Sequence, residues 1–170
     1  MRLTFTYILK PNKRQDNILK ELMWHCSKVY NMLSYDVKEG KEKINPNGIL
    51  NVESSKIYKK YRKENWHSKY LHSHMLQQII INYVGDYKSY MAIKEMYETG
   101  NKEIKGKPRM PRYKQEAKVQ ITFTKYAIRR EGRKIKLSIS KNMQEKFQVK
   151  SLNFLIPKKL EKLVNLESIK

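Results

Sequence analysis

The stretch Gly106-Lys107-Pro108-Arg109-Met110-Pro111-Arg112-Tyr113-Lys114 divides the chain. Upstream of it, apolar residues recur at the three-and-four spacing of helices. Downstream, they alternate with the period of strands. Two prolines three residues apart exclude both a regular helix and a central strand. Each also restricts its predecessor, Lys107 or Met110, to extended backbone. The stretch is therefore a stiff crossing between a helical half and a β half. Its cations, Lys107, Arg109, Arg112 and Lys114, surround one flat ring, Tyr113. Such a strip suits a phosphate backbone, with a ring available to stack on a base or sugar. Taken alone, it is equally the composition of a solvated linker.

The charge of the whole chain bears on that choice. Lys and Arg total 37 against 16 Asp and Glu in 170 residues, a formal net charge of +21. That excess goes far beyond what solubility requires, and it repels itself unless a polyanion is near. Nucleic acid is the natural partner, with an anionic membrane surface as the lesser alternative. With 11% aromatic residues, including 12 tyrosines, the chain is not a disordered basic tail. It has no apolar run of membrane-spanning length. Its first residues alternate like a strand and lack the apolar core of a signal peptide. Cys26 is the single cysteine, so no internal disulfide and no thiolate zinc cluster can form. These features together fit a reducing cytoplasm.

Upstream, Leu3 to Leu9 alternates as one short strand that Pro11 ends. Asn12 is placed to cap the helix that follows. That helix is expected over Lys13 to Lys38, with Ile18, Leu19, Leu22, Met23, Cys26, Val29, Tyr30 and Leu33 on its buried stripe. Gly40 to Ser55 reads as a loop with turn residues at Asn45 to Gly48. A short basic helix follows over Val52 to Lys63, then a break at Trp66. The longest helix is expected over Ser68 to Thr99, with Gly100 at its C-cap. Downstream, Val119 to Thr124 reads as a strand. Arg129 to Arg133 forms a charged hairpin tip, and Lys134 to Ser140 and Val149 to Leu155 supply further strands. Leu160 to Leu166 reads as an edge or short helix. A lone first strand is not stable by itself, so it should pair with the later ones. The helical block then becomes an insertion into a small β-barrel or sheet.

Catalytic signals are sparse. Asp16, Asp36 and Asp86 all fall inside expected helices, and Glu103, Glu116 and Glu131 read as ion-pair partners rather than converging metal ligands. His72 and His74, two apart on a helix, point to different sides. His25 and His67 read as ordinary helix residues. The chain has no glycine-rich phosphate loop, nucleophile elbow or cofactor fingerprint, and no cofactor is expected. What remains is binding surface. Three candidates stand out: the strip from Lys102 to Lys114, with Lys105, Lys107, Arg109, Arg112, Tyr113 and Lys114; the basic helix, with Lys56, Lys59, Lys60 and Arg62; and the hairpin tip, with Arg129, Arg130 and Arg133. Tyr58, Tyr61 and Trp66 are candidate stacking groups, with core packing as the alternative for Trp66.

The order of these signals resembles the N-terminal part of TnpB proteins, the transposon-encoded RNA-guided nucleases related to type V CRISPR effectors. The likeness rests on Tyr7 to Gln15, Val29-Tyr30-Asn31 with Leu33, Leu71-His72-Ser73 with Gln77-Gln78, Gly106-Lys107-Pro108, and Pro111 to Lys114. It continues through Ile121 to Thr124 and Ile156 to Leu160, so it covers nearly the whole chain. The resemblance implies an α+β fold, an oligonucleotide-binding-like β-barrel (WED) interrupted by a helical bundle (REC). Its parts would be residues 1–10 as the first WED strand, 11–105 as the REC insertion and 106–170 as the rest of the barrel. The implied function is binding of a guide-RNA scaffold, of a short target-adjacent duplex motif and of the guide–target heteroduplex. Ser73 and Gln77 resemble family positions near the recognised duplex. The family's catalytic RuvC domain and zinc segment have no counterpart in these residues. The expectation is thus a recognition module that is not itself an enzyme, with guide RNA and target DNA as partners and a separate RuvC chain for cleavage. A free-standing DNA-binding protein or repressor, or one half of a split nuclease, is the alternative.

Overall fold

The computed structural model describes residues 10–100, 103–115 and 119–158. The expected strand Leu3 to Leu9 and the segment Leu160 to Leu166 lie outside them. Among the described residues the fold is α+β: four α-helices and one open, antiparallel, three-stranded sheet. They form no closed barrel.

Helix α1 (Lys13–Lys38) has the expected bounds. Asn12 caps it reciprocally with Gln15: the Asn12 side chain accepts the Gln15 amide and the Gln15 side chain accepts the Asn12 amide, both at 2.9 Å. Ile18, Leu22, Cys26, Val29, Tyr30 and Leu33 are buried along one stripe. Cys26 is a core thiol that burial pushes up to a pKa of about 12, so it carries no thiolate chemistry. Helix α2 (Leu50–Glu64) starts two residues before the expected position.

A 3-10 helix, Trp66–Tyr70, occupies residues expected to begin the long helix, and α3 (Ser73–Glu98) starts only after it. Asn65 enforces that break. Its side chain accepts the Ser68 amide, while the Ser68 hydroxyl donates to the Tyr61 carbonyl. Helix α3 packs against both α1 and α2 through Met75, Leu76, Ile79, Ile80, Tyr83 and Val84. Its burial ends at Val84. Gly100, at φ +79°, takes the left-handed conformation that closes the helix.

The sheet order is β1 (Ile128–Glu131), β2 (Lys134–Ser138), β3 (Ser151–Leu155). Gly132, at φ +55°, makes the tight turn of the first hairpin. Leu137 stands opposite Ile128 on one side and Leu152 on the other, and Ile135 opposite Phe154. A short helix absent from the expectation, α4 (Lys141–Phe147), joins β2 to β3. Ser140 caps it by accepting the Met143 amide at 3.3 Å, and Met143 is buried.

The expected strand Val119 to Thr124 is corrected. It pairs with no strand among the described residues. Val119, Ile121 and Phe123 instead pack, half-buried, against the core. Alternation there reflects packing on a surface rather than a ladder, which period alone cannot distinguish.

Helices and sheet share one core. Leu137, Ile139, Met143, Leu152 and Phe154 join the cluster built by α1, α2 and α3. Polar contacts reinforce the junction. Gln15 donates to the Asn153 carbonyl at 2.6 Å, Arg14 to the carbonyls of Phe147 and Gln148, and the Ser140 hydroxyl to the Tyr70 carbonyl at 2.7 Å.

His25 lies fully buried at this junction. Its ring stacks on Tyr70, centroids 4.4 Å apart and planes within 6°. Its Nδ1 sits 3.0 Å from Nδ1 of His67, a contact that needs one donor and one acceptor. Burial, then the His67 ring and Lys146, lower the His25 pKa to about 4 against the opposing pull of Glu21. Burial and then Lys28 lower that of His67 as well.

Both imidazoles are thus neutral in the fold, whereas an unfolded histidine takes up a proton near pH 6.5. Their contribution to stability is complete above that value. That of His25 is lost as pH falls through 6.5 towards 4, and that of His67 likewise begins to fall below 6.5, because the unfolded chain binds more protons there. At about 1.4 kcal/mol per pH unit, the His25 loss is on the order of 3 kcal/mol. Thermal unfolding from pH 7 to 4.5 should show it, and His25→Phe, which keeps the stack on Tyr70, should flatten the decline. Parallel declines in the two proteins would show that His25 is not the titrating group.

Candidate nucleic-acid interface

The proline strip is not a slack linker. It lies along α1, and Asn31 on that helix holds its end at Lys114. Asn31 Nδ2 donates to the Lys114 carbonyl at 3.0 Å, and the Lys114 amide donates to Asn31 Oδ1 at 2.7 Å. This two-way clasp satisfies the strip's backbone as a neighbouring strand would. The Ser34 hydroxyl reaches the Pro111 carbonyl at 3.4 Å, and Met110 packs against the core.

Three charged or aromatic contacts continue the anchoring. Lys38 sits 4.1 Å over the Tyr113 ring, and Lys114 sits 4.9 Å over the Tyr30 ring. Lys114 also approaches the Asp86 carboxylate at 3.8 Å, where the Tyr30 hydroxyl donates at 2.7 Å. Burial, and then this hydrogen bond, raise the Tyr30 pKa, so it stays a donor. Asp86 thus accepts from Tyr30 and faces Lys114. Asp36 likewise accepts from the Tyr61 hydroxyl, and Asp16 pairs with Lys20 at 2.7 Å.

With its backbone held, the strip presents its cations outward. Lys105, Lys107, Arg109 and Arg112 are exposed or half-exposed along it. They make no ion pair among the described residues. Tyr113 is 51% exposed. Lys102 lies outside the described residues.

The other expected groups divide. On α2, Lys59 and Arg62 are exposed, and Arg62 lies 5.9 Å over the Tyr58 ring. Lys56 pairs with Glu53 at 3.3 Å and Lys60 with Glu42 at 2.6 Å. The Glu42 hydrogen bond raises the Lys60 pKa. The Asn45 amide, then Lys56, hold the Glu53 carboxyl below its usual range. Tyr61 is buried and bonded to Asp36, which corrects its reading as a stacking group. Tyr58 lines a cavity of about 230 Å3 between α2 and α3, which it shares with Gln77, Ser54 and Asn51. Ser73 is the first residue of α3.

At the hairpin, Arg129 is exposed on β1. Arg130 donates to the Gly132 carbonyl at 2.7 Å. Arg133 donates through two nitrogens to the Ile156 carbonyl, at 3.1 and 3.0 Å, and so clamps the end of β3. Its guanidinium therefore has a structural partner inside the fold.

Asn31 is the residue that sequence reasoning missed. It stood within the Val29-Tyr30-Asn31 likeness, but no periodicity argument gives a half-buried helical amide a partner 83 residues away. Among the described residues no group of three or more His, Cys, Asp or Glu side chains is placed to hold a metal ion, and no helix is long and apolar enough to cross a membrane. No protein-family model and no curated protein matches the chain.

If Asn31 is what holds the strip, Asn31→Ala should leave helix content and cooperative unfolding intact. Trypsin cleavage after Arg109, Arg112 and Lys114 should then accelerate several-fold. An unchanged cleavage rate would show that the strip is held elsewhere.

Proposed function

We propose that the chain is a nucleic-acid-binding recognition module. The observation that carries the reading is the clasped strip. Four cations, Lys105, Lys107, Arg109 and Arg112, project from a backbone whose proline stiffness and Asn31 clasp fix it in advance. A cation on a flexible loop loses chain entropy when it binds. A cation on a pre-set backbone loses less, so more of its phosphate interaction appears as affinity. Two guanidiniums at spacing three, Arg109 and Arg112, supply bidentate donors that match phosphate oxygens.

In its finer form the proposal follows the TnpB likeness. The module binds a guide RNA and its target DNA, in a cytoplasmic setting. The sheet and the strip belong to the WED part, and α1 to α3 form the REC insertion. Ser73 and Gln77, one turn apart on α3, lie at the target-adjacent duplex. Cleavage then falls to a RuvC-type domain outside these residues. The chemistry of the described residues supports this division of labour, since the three aspartates serve as partners within the fold.

Arg109→Ala with Arg112→Ala tests the reading. The slope of log affinity against log salt should fall by about 1.8 on duplex and about 1.4 on single strands, since each phosphate neutralised contributes roughly 0.9 and 0.7 respectively. The helical core, which neither side chain enters, should unfold as before. An unchanged slope and affinity would remove the strip from the interface.

A further inference from the structure

The two tryptophans of the chain, Trp24 and Trp66, meet at a groove that the proposed interface does not use. The groove is open and offers about 630 Å3, room for a planar group laid against its wall. Its walls are aromatic: Trp24 from α1, Trp66 from the 3-10 helix and Phe147 from the end of α4. Among the described residues no aliphatic apolar side chain lines it. The indoles stand at 80° to one another with centroids 6.5 Å apart, so one offers a face where the other offers an edge. Trp66 is 52% exposed. Both rings are held from behind: His67 packs edge-on to each, at 5.0 and 4.9 Å, and Trp66 leans on Tyr70 at 4.9 Å. Lys20 and Lys146 stand at the rim, with Asn17 and Glu21 as polar neighbours.

We infer that this groove takes one unpaired nucleotide, its base stacked on Trp66 or Trp24 and its phosphate at Lys20 and Lys146. The inference rests on the nucleic-acid reading above and adds a second kind of contact to it. Three features favour a base over the apolar side chains of a docking helix. A flat π surface matches an aromatic wall, whereas a helix-binding groove is lined by aliphatic groups. The rim is cationic. Lys20 is engaged only by an exposed ion pair with Asp16, weak enough for a phosphate to take over, and Lys146, which pairs with the partly buried Glu21, has ammonium donors beyond the one it gives that carboxylate. Asn17 and Glu21 supply an amide and an acceptor for the edge of a base, which a duplex would keep hidden.

Because both tryptophans line the groove, tryptophan fluorescence reports on it alone. The whole chain is titrated with an end-labelled single-stranded oligoribonucleotide and with its duplex, while label anisotropy and tryptophan emission are followed together. The inference predicts that the single strand quenches tryptophan in step with the anisotropy rise, and that the duplex does so much less. Trp66→Ala should weaken single-strand binding about tenfold with duplex binding unchanged, and Trp66→Phe should restore most of the loss. Binding by anisotropy with no tryptophan response would overturn the groove site and leave the strip interface standing. No binding by either signal would overturn both. Tryptophans already shielded from acrylamide in the free protein would show that another part of the molecule, or a second copy, covers the groove, and that also overturns the inference.

Discussion

Residues Tyr30 and Asn31, neighbours on α1, connect the interior of the protein to its charged exterior. The Tyr30 ring packs edge-on against Tyr83, centroids 5.1 Å apart, and its hydroxyl donates to Asp86 on α3. That contact fixes α1 against α3 at the level where Asn31 faces out. The Asn31 amide then receives the strip in both directions at Lys114. The position of the basic strip is thus set by the same helix pair that forms the core. A chain with so large a positive charge gains from this arrangement. Cations held apart on a stiff backbone repel one another less than in a collapsed loop, and they stay available to an anion.

The same logic separates cations left open to solvent from those with a partner in the fold. Lys56, Lys60, Lys114 and Arg133 have partners inside the fold. Glu53 accepts the Asn45 amide as well as Lys56, and Lys88 reaches the carbonyls of Pro46 and Gly48 in the same loop. Local neutralisation holds that loop onto α3. Charge removal is therefore expected to act differently at the two kinds of site, on stability at the paired lysines and on binding at the strip.

Much of the helical half was legible in the sequence because its signals are local. Asn12, Gln15 and the stripe from Ile18 to Leu33 specify α1 without reference to anything distant. The start of α3 was not legible, because the apolar spacing from Leu71 onward continues smoothly from residues that Asn65 and Ser68 tie into a 3-10 turn. Helix α4 was hidden by its length: seven residues carry too little periodicity, and only the Ser140 cap marks it. The β half was read from alternation, which found the hairpin but took Val119 to Thr124 for a strand. Of the binding residues, exposed cations were legible as types. Their partners were not, because ion pairs such as Lys60 with Glu42 depend on how a loop folds back. The aromatic groove was the least legible part, since Trp24, Trp66 and Phe147 come from three separate elements.

The central claim is that this protein works by holding nucleic acid, and RNA in particular. It is tested most directly by purifying the protein from its own host at moderate salt and sequencing what stays bound. The account predicts a discrete RNA of defined length, recovered in proportion to the protein and lost when Arg109 and Arg112 are replaced by alanine. A random mixture of fragments, or duplex DNA enriched in one site, would contradict the RNA-guided form of the account.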